Sequence, residues 1–171
     1  MSVDGLIVPP GQGKKLVTKA HEVTFKVTGE HSRTGSSFEV IVPPGFDVGA
    51  HTHTRSEELF YIVEGELDVL AFDPVTREGH WSDWESPVGA KPVRAGAGSV
   101  LFVPPGCPHA FANRTDTPVK MFFQASPPPD HEAYFDQLLE IFAAGGEIDA
   151  SAVERLREKY DIQQITPLSY G

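Results

Sequence analysis

Apolar and polar residues alternate through much of this chain with the two-residue period of strands that bury one face. In HEVTFKVTG, which starts at His21, Val23, Phe25 and Val27 alternate with Thr24 and Lys26. HSRTGS has the composition of a turn. SFEVIVPPG predicts a second strand, ended by two prolines that cannot extend a ladder. ELFYIVEGELDVLAF predicts a hairpin. Its first arm, LFYIV, is apolar on both faces and therefore central, and Glu64-Gly65 makes the turn. Its second arm sets Leu67, Val69 and Ala71 against Glu66 and Asp68. Residues 73–97 break the rhythm. They are polar, rich in Gly and Pro, and carry Trp81 and Trp84, which suits a loop or a loosely ordered hairpin. GSVLFVPPG, HAFAN and VKMFFQAS predict three further strands.

The period changes after the three prolines that precede Asp130. Tyr134, Phe135, Leu138, Leu139 and Phe142 recur at helical spacing, and Gly145-Gly146 predicts the stop. Ser151 with Glu154 has the form of a capping box ahead of AVERLREKY, so a second short helix is expected. The apolar face of the first helix needs cover, from the sheet or from a neighbouring subunit. Three segments result: an N-terminal arm over 1–20, a β-domain over 21–128 and a helical tail over 129–171. The arm shows no period and is suited to pairing with a sheet edge or reaching a partner subunit.

A length of 171 residues supports one domain with a real core. The 16 glycines and 15 prolines lie between short apolar runs, as an all-β fold with many turns requires. The formal net charge of −10, without a basic patch, argues against nucleic acid and anionic membrane as partners. Cys107 is the single cysteine, so no internal disulfide forms. MSVDGLIVPPGQGKK lacks the long apolar stretch of a secretion signal, and no run reaches transmembrane length, so a cytoplasmic address is expected.

Candidate chemistry is concentrated in two patterns. The first, GFDVGAHTHTRSEELFYIVEG, places His51-x-His53 five residues after Gly45, then Glu58 and Gly65. The second, GSVLFVPPGCPHAFAN, runs from Gly98 through Pro104-x-Gly106 to His109 and Asn113. On an extended chain His51 and His53 point to one face. Glu58 shares its strand face with Phe60 and Ile62, opposite Glu57, Leu59 and Tyr61. Three imidazoles and a carboxylate on inward faces of adjacent strands surround one ion, and that donor set suits Fe, Mn, Ni, Co or Zn rather than Mg or Ca. Gly65 and Gly106 fall where turns need positive φ, and Pro104 fixes the approach to the His109 loop.

Over residues 20–126 these two segments resemble the two motifs of the cupin family. The resemblance implies a cupin double-stranded β-helix, a jelly-roll barrel, here with a short C-terminal helical tail. It implies His51, His53, Glu58 and His109 as ligands of one divalent transition metal (Fe, Mn, Ni, Co, Cu or Zn), the spacing to Gly65 favouring Glu58 over Glu57. The ending REKYDIQQITPL is similar to that of small single-domain bacterial cupins described as quercetin-dioxygenase-like. Members commonly pair through sheet edges, which implies a homodimer. The segment with Trp81 and Trp84 is longer than in better-known members.

The expected substrate is a small aromatic or enolisable molecule. Phe60, Ile62, Phe102, Phe111 and Phe123 are its candidate wall, and Trp81 and Trp84 could cap the barrel mouth or lie at a subunit interface. Cys107 is read as part of a turn, and His21, His31, His80 and His131 as surface or structural. The leading function is an O2-dependent dioxygenase of the quercetinase-like type. There Glu58 ligates the resting metal and then acts as base, with a pKa raised by the apolar cavity against the opposing cation. The alternatives are a non-redox polyketide cyclase, isomerase or lyase, and a non-catalytic small-molecule binding module.

Overall fold

A computed structural model describes residues 4–18, 22–143 and 149–170. Among these residues, eleven strands form two antiparallel sheets whose inner faces share one core. The strands are β1 (Lys15–Val17), β2 (Glu22–Val27), β3 (Ser36–Val42), β4 (His51–Thr52), β5 (Glu57–Glu64), β6 (Glu66–Ala71), β7 (Val93–Gly96), β8 (Val100–Val103), β9 (His109–Ala112), β10 (Val119–Ser126) and β11 (Gln163–Gln164). One sheet runs β1-β2-β3-β10-β5-β8 and the other β11-β4-β9-β6-β7. Two helices, α1 (His131–Ala143) and α2 (Ala150–Lys159), follow β10. No described helix is long and apolar enough to cross a membrane.

Burial alternates along β5 and β10, whereas in β2 Thr24 is buried with Val23 and Phe25, and a bulge between Phe25 and Val27 breaks the predicted alternation. Phe25, Phe38, Phe60, Phe111 and Phe123 come from both sheets and meet in the interior. Phe38 and Phe123 lie 4.4 Å apart between ring centroids, and Phe60 and Phe123 lie 4.9 Å apart. Each such side chain contributes about 1.5–3 kcal/mol on burial. His21 and Gly145-Gly146 lie outside the described residues.

The predicted β5–β6 hairpin does not form. β5 is flanked by β10 and β8 in one sheet, while β6 is flanked by β9 and β7 in the other. Gly65, at φ +84°, is the corner where the chain leaves one sheet for the next, and a Cβ there would fall 2.9 Å from Val119 Cγ2. Both edges of β5 are already occupied, so the chain turns the corner of the barrel instead of folding back. β5 is central, as predicted, but its outer apolar residues are not covered. Tyr61 and Val63 are 41% and 37% exposed, and Val100 and Phe102 on β8 are 59% and 53% exposed.

Residues 73–97 contain one turn of 3-10 helix, Trp81–Asp83, and the edge strand β7. Trp81 and Trp84 are buried against Ala50, Leu70, Ala110 and Ala112, on the outer face of the five-stranded sheet. The Trp81 indole N–H donates to Asp47, 2.9 Å from Oδ1, and that buried carboxylate also receives the Gly49 amide at 2.8 Å.

The arm residues 15–17 pair with β2 at the sheet edge. α1 lays Phe135 against Phe25 and Phe38, so this chain's own sheet covers the apolar helix face. The N-cap of α2 is Asp149, not Ser151. Its carboxylate accepts the amides of Ser151 and Ala152, which places Ser151 inside the first turn. Beyond α2 the chain returns to the barrel: β11 pairs with β4, and Ile165 and Thr166 donate their amides to the Ala50 carbonyl.

Candidate metal centre

The two sheets face each other across His51, His53, Glu58 and His109, all buried. His51 on β4 and His109 on β9 are register partners in the five-stranded sheet. Glu58 reaches them from β5 in the opposite sheet. The sequence placed all four on adjacent strands, but the carboxylate comes from across the barrel. One ligand atom from each residue lies within 4.8 Å of the others.

Each imidazole is held by its Nδ1. His51 Nδ1 lies 2.9 Å from the Gly49 carbonyl, His53 Nδ1 2.9 Å from the Asp161 carbonyl, and His109 Nδ1 3.1 Å from the Cys107 carbonyl. A carbonyl only accepts, so each Nδ1 carries the proton and each neutral ring keeps its Nε2 lone pair for the centre. The holding carbonyls are themselves fixed. Gly49, at φ +68°, is braced by the Asp47 carboxylate. Gly106, at φ +81°, turns the loop before His109 and donates its amide to the His53 carbonyl at 2.7 Å. Asp161, at φ +62°, also ties down the loop beyond His53, its carboxylate accepting the Thr54 and Arg55 amides at 3.0 Å each.

This arrangement fits a cation. His53 Nε2 and His109 Nε2 are buried without a hydrogen-bond partner of acceptable geometry. Each is nevertheless 3.1 Å from an oxygen of Glu58. Lone pairs facing a carboxylate at that distance repel unless positive charge lies between them. Metal bonds of about 2.1 Å meeting at a right angle put two donors about 3.0 Å apart, and a tetrahedral angle puts them about 3.4 Å apart. The 3.1 Å contacts fall between these two values.

Without metal, the cluster holds its charge as an ion pair. For Glu58, burial raises the pKa, but the close His53 and His109 rings outweigh it and hold the carboxyl well below its usual range. For His53, burial lowers the pKa and Glu58 more than restores it, so the net shift is upward. His51 is pushed well below its usual value by burial, then by the charges of His109 and Arg157. The raised pKa expected of Glu58 is therefore not found: its histidine neighbours override the apolar cavity, which suits a ligand carboxylate.

An apolar cavity opens from this cluster, and its wall includes Phe60, Phe111 and Phe123 from the predicted set. Ile62 lines a second space instead, with Leu67, Val69 and Met121. Phe102 faces outward, because it pairs with Leu59 on the strand face opposite Glu58. Neither tryptophan caps the mouth; both are on the far side of the five-stranded sheet. Cys107 occupies its turn, and burial, then Asp73, raises its pKa, which disfavours a thiolate. His31 and His80 are exposed, with Nδ1 engaged by Thr28 and Ser82 respectively.

The helical tail supplies a further part of the cavity wall. His131, Tyr134, Phe135 and Leu138 of α1, Val153 and Arg157 of α2, and Tyr170 all line it. His131 is buried, as a structural residue is, but it faces the cavity. The apolar period of α1 was visible in the sequence, yet period alone does not say what a helix face covers.

The family model for Cupin matches residues 12–154, and the chain belongs to that family. Its barrel is the cupin double-stranded β-helix with a short helical tail. An uncharacterized protein of Methanocaldococcus jannaschii, MJ1618, is 30% identical over 94 residues, which cover 55% of this chain and 62% of that protein. KdgF from a Halomonas species shares the fold with a TM-score of 0.58 at 14% identity, over 75% of this chain and 99% of that one. The polyketide cyclase RemF from Streptomyces resistomycificus aligns with a TM-score of 0.55 at 16% identity, over 72% and 80% of the two chains.

Proposed function

We propose that this chain is a metal-dependent enzyme acting on a small aromatic or enolisable molecule by O2-dependent dioxygenation of the quercetinase-like type. One observation supports this reading above the others: three imidazoles with free Nε2 atoms and one carboxylate stand at the edge of a phenylalanine-walled cavity. A divalent Fe, Mn, Ni, Co or Cu ion held by His51, His53, His109 and Glu58 would supply Lewis acidity and electron exchange with O2. The chain's own part is positioning and proton transfer. Phe60, Phe111 and Phe123 present apolar faces to a planar substrate and exclude water from it. Glu58 is the one carboxylate among the described residues of the cavity wall, and so the base for a substrate hydroxyl or an acidic C–H. Its basicity rises as a bound ligand draws it away from His53 and His109.

The test is metal analysis of protein purified without added metal, followed by O2 uptake with flavonols, catechols and β-diketones. A redox-active metal with O2 consumption is expected. Zinc with no consumption overturns the dioxygenase and favours cyclase, isomerase or lyase chemistry on the same four donors. Saturable ligand binding without turnover favours a binding module. Glu58→Gln is expected to retain metal and lose turnover; undiminished turnover removes Glu58 as base. A homodimer is part of the proposal, supported by the exposed strip of Tyr61, Val63, Val100 and Phe102. Sedimentation equilibrium of Phe102→Glu against the parent protein tests it.

A further inference from the structure

Arg157 is an arginine in a place where arginines are rarely left. It is 4% exposed, and its Nε and Nη2 are buried with no hydrogen-bond partner among the described residues. A guanidinium cannot shed its charge at ordinary pH, and a buried one without a counter-charge is strongly unfavourable. Its side chain lines the same cavity as His51, His53 and Glu58. Among the described residues no carboxylate pairs with Arg157. Glu58 is engaged by His53 and His109, and Asp161 by Thr54 and the amides of residues 54 and 55. Among the described residues its positive charge is thus unanswered where it faces the cavity.

We propose that Arg157 is the anion anchor of this cavity, receiving the carboxylate of a small molecule whose apolar body lies against the phenylalanine wall. The planar fork of a guanidinium matches a carboxylate with two parallel N–H···O bonds, which orients the ligand as well as holding it. The apolar wall accounts for the other half of the ligand: it offers little to a sugar and much to a ring. Electrostatics support the same occupant. Arg157 shares the cavity wall with His51, His53 and Glu58, so it lies within charge range of the centre. With a divalent cation in place, neutral imidazoles, Glu58 and Arg157 leave the cavity with net positive charge, a setting that selects an anion. This last point rests on the metal-centre reading, whereas the unpaired guanidinium does not. Arg157 also lies beyond the residues matched by the family model, 12–154, so the anchor belongs to the tail of this chain and not to the barrel it shares with its relatives.

Titration calorimetry tests the proposal with benzoate and 2-naphthoate against their neutral counterparts, benzamide and 2-naphthamide. The whole chain is used, both zinc-loaded and stripped with a chelator. The wild-type protein is expected to prefer each carboxylate by at least about tenfold in both forms, the contrast expected of charge-assisted pairing. Arg157→Met should abolish the preference in the stripped form, Arg157→Lys should keep part of it, and Arg155→Met, an exposed change on the same helix, should keep all of it. Equal binding of acid and amide by the stripped wild type overturns the proposal. So does a preference that survives Arg157→Met, or the absence of binding by all four probes at millimolar concentration. Should Arg157→Met fail to fold, the wild-type and Arg157→Lys comparisons decide. O2 uptake plays no part in this readout, so a failed dioxygenase reading and a failed anchor are told apart.

Discussion

Replacing His131 with phenylalanine should flatten the dependence of stability on pH. The ring is packed against Phe38, Phe123 and Phe135, with centroids 5.2, 5.1 and 6.4 Å away, and its Nδ1 lies 3.2 Å from the Ser36 hydroxyl. Burial takes its pKa from 6.5 down to about 4, against a raising pull from Glu58. Between those two values the unfolded chain binds a proton that the folded chain refuses. Stability from this residue is therefore complete above the unfolded pKa and is lost as pH falls toward the folded one. The linkage relation gives a loss of about 2 kcal/mol between about pH 7 and about pH 5, and about 1 kcal/mol more by about pH 4. The phenylalanine ring keeps the packing and removes the titration, while losing the Ser36 partner shifts stability equally at every pH. Urea melts of metal-free wild type and variant at these pH values measure the effect. His51, His53 and Glu58 are present in both proteins, so only their coupling to His131 enters the difference. Wild type and variant declining in parallel, within about 0.5 kcal/mol, would refute the account of this ring.

Three further outcomes are expected. His51→Ala or His109→Ala should strip most of the metal, measured by elemental analysis, and lower the melting temperature, because metal binds the folded state alone; full occupancy in both variants would overturn the ligand assignment. Trp81→Phe should cost about 1–3 kcal/mol in denaturant melts, by leaving the buried Asp47 short of a donor, with metal content unchanged. Gly49→Ala should destabilise by more than the about 1–2 kcal/mol of a left-handed alanine, because its Cβ would fall 2.3 Å from the Thr166 carbonyl oxygen and push the tail off β4. That variant should also bind metal more weakly, since the Gly49 carbonyl sets the His51 ring.

Much of this protein is local and therefore legible without coordinates. Alternation in the segments around Phe25, Phe38, Phe60 and Phe123 settles which side chains face inward, because strand geometry sends neighbours to opposite faces. The spacing of His51, His53, Glu58 and His109 between turn-forming glycines singles out four residues that the structure brings together as candidate donors. What stayed out of reach was which surfaces meet. Glu64-Gly65 reads as a hairpin turn, yet the same glycine serves a barrel corner once β10 and β8 have taken both edges of β5. Trp81 and Trp84 pack on the outside of the five-stranded sheet, because Leu70, Ala110 and Ala112 leave an apolar face there that a distant loop covers. Arg157 has no motif and lies on a helix that looks amphipathic and unremarkable, and only the docking of that helix over the barrel turns its side chain into the cavity beside the candidate metal centre. Periodicity and spacing are properties of a few consecutive residues, and a single chain carries them. The closing of one end of a barrel by a tail depends on contacts across more than a hundred residues, which no local pattern records.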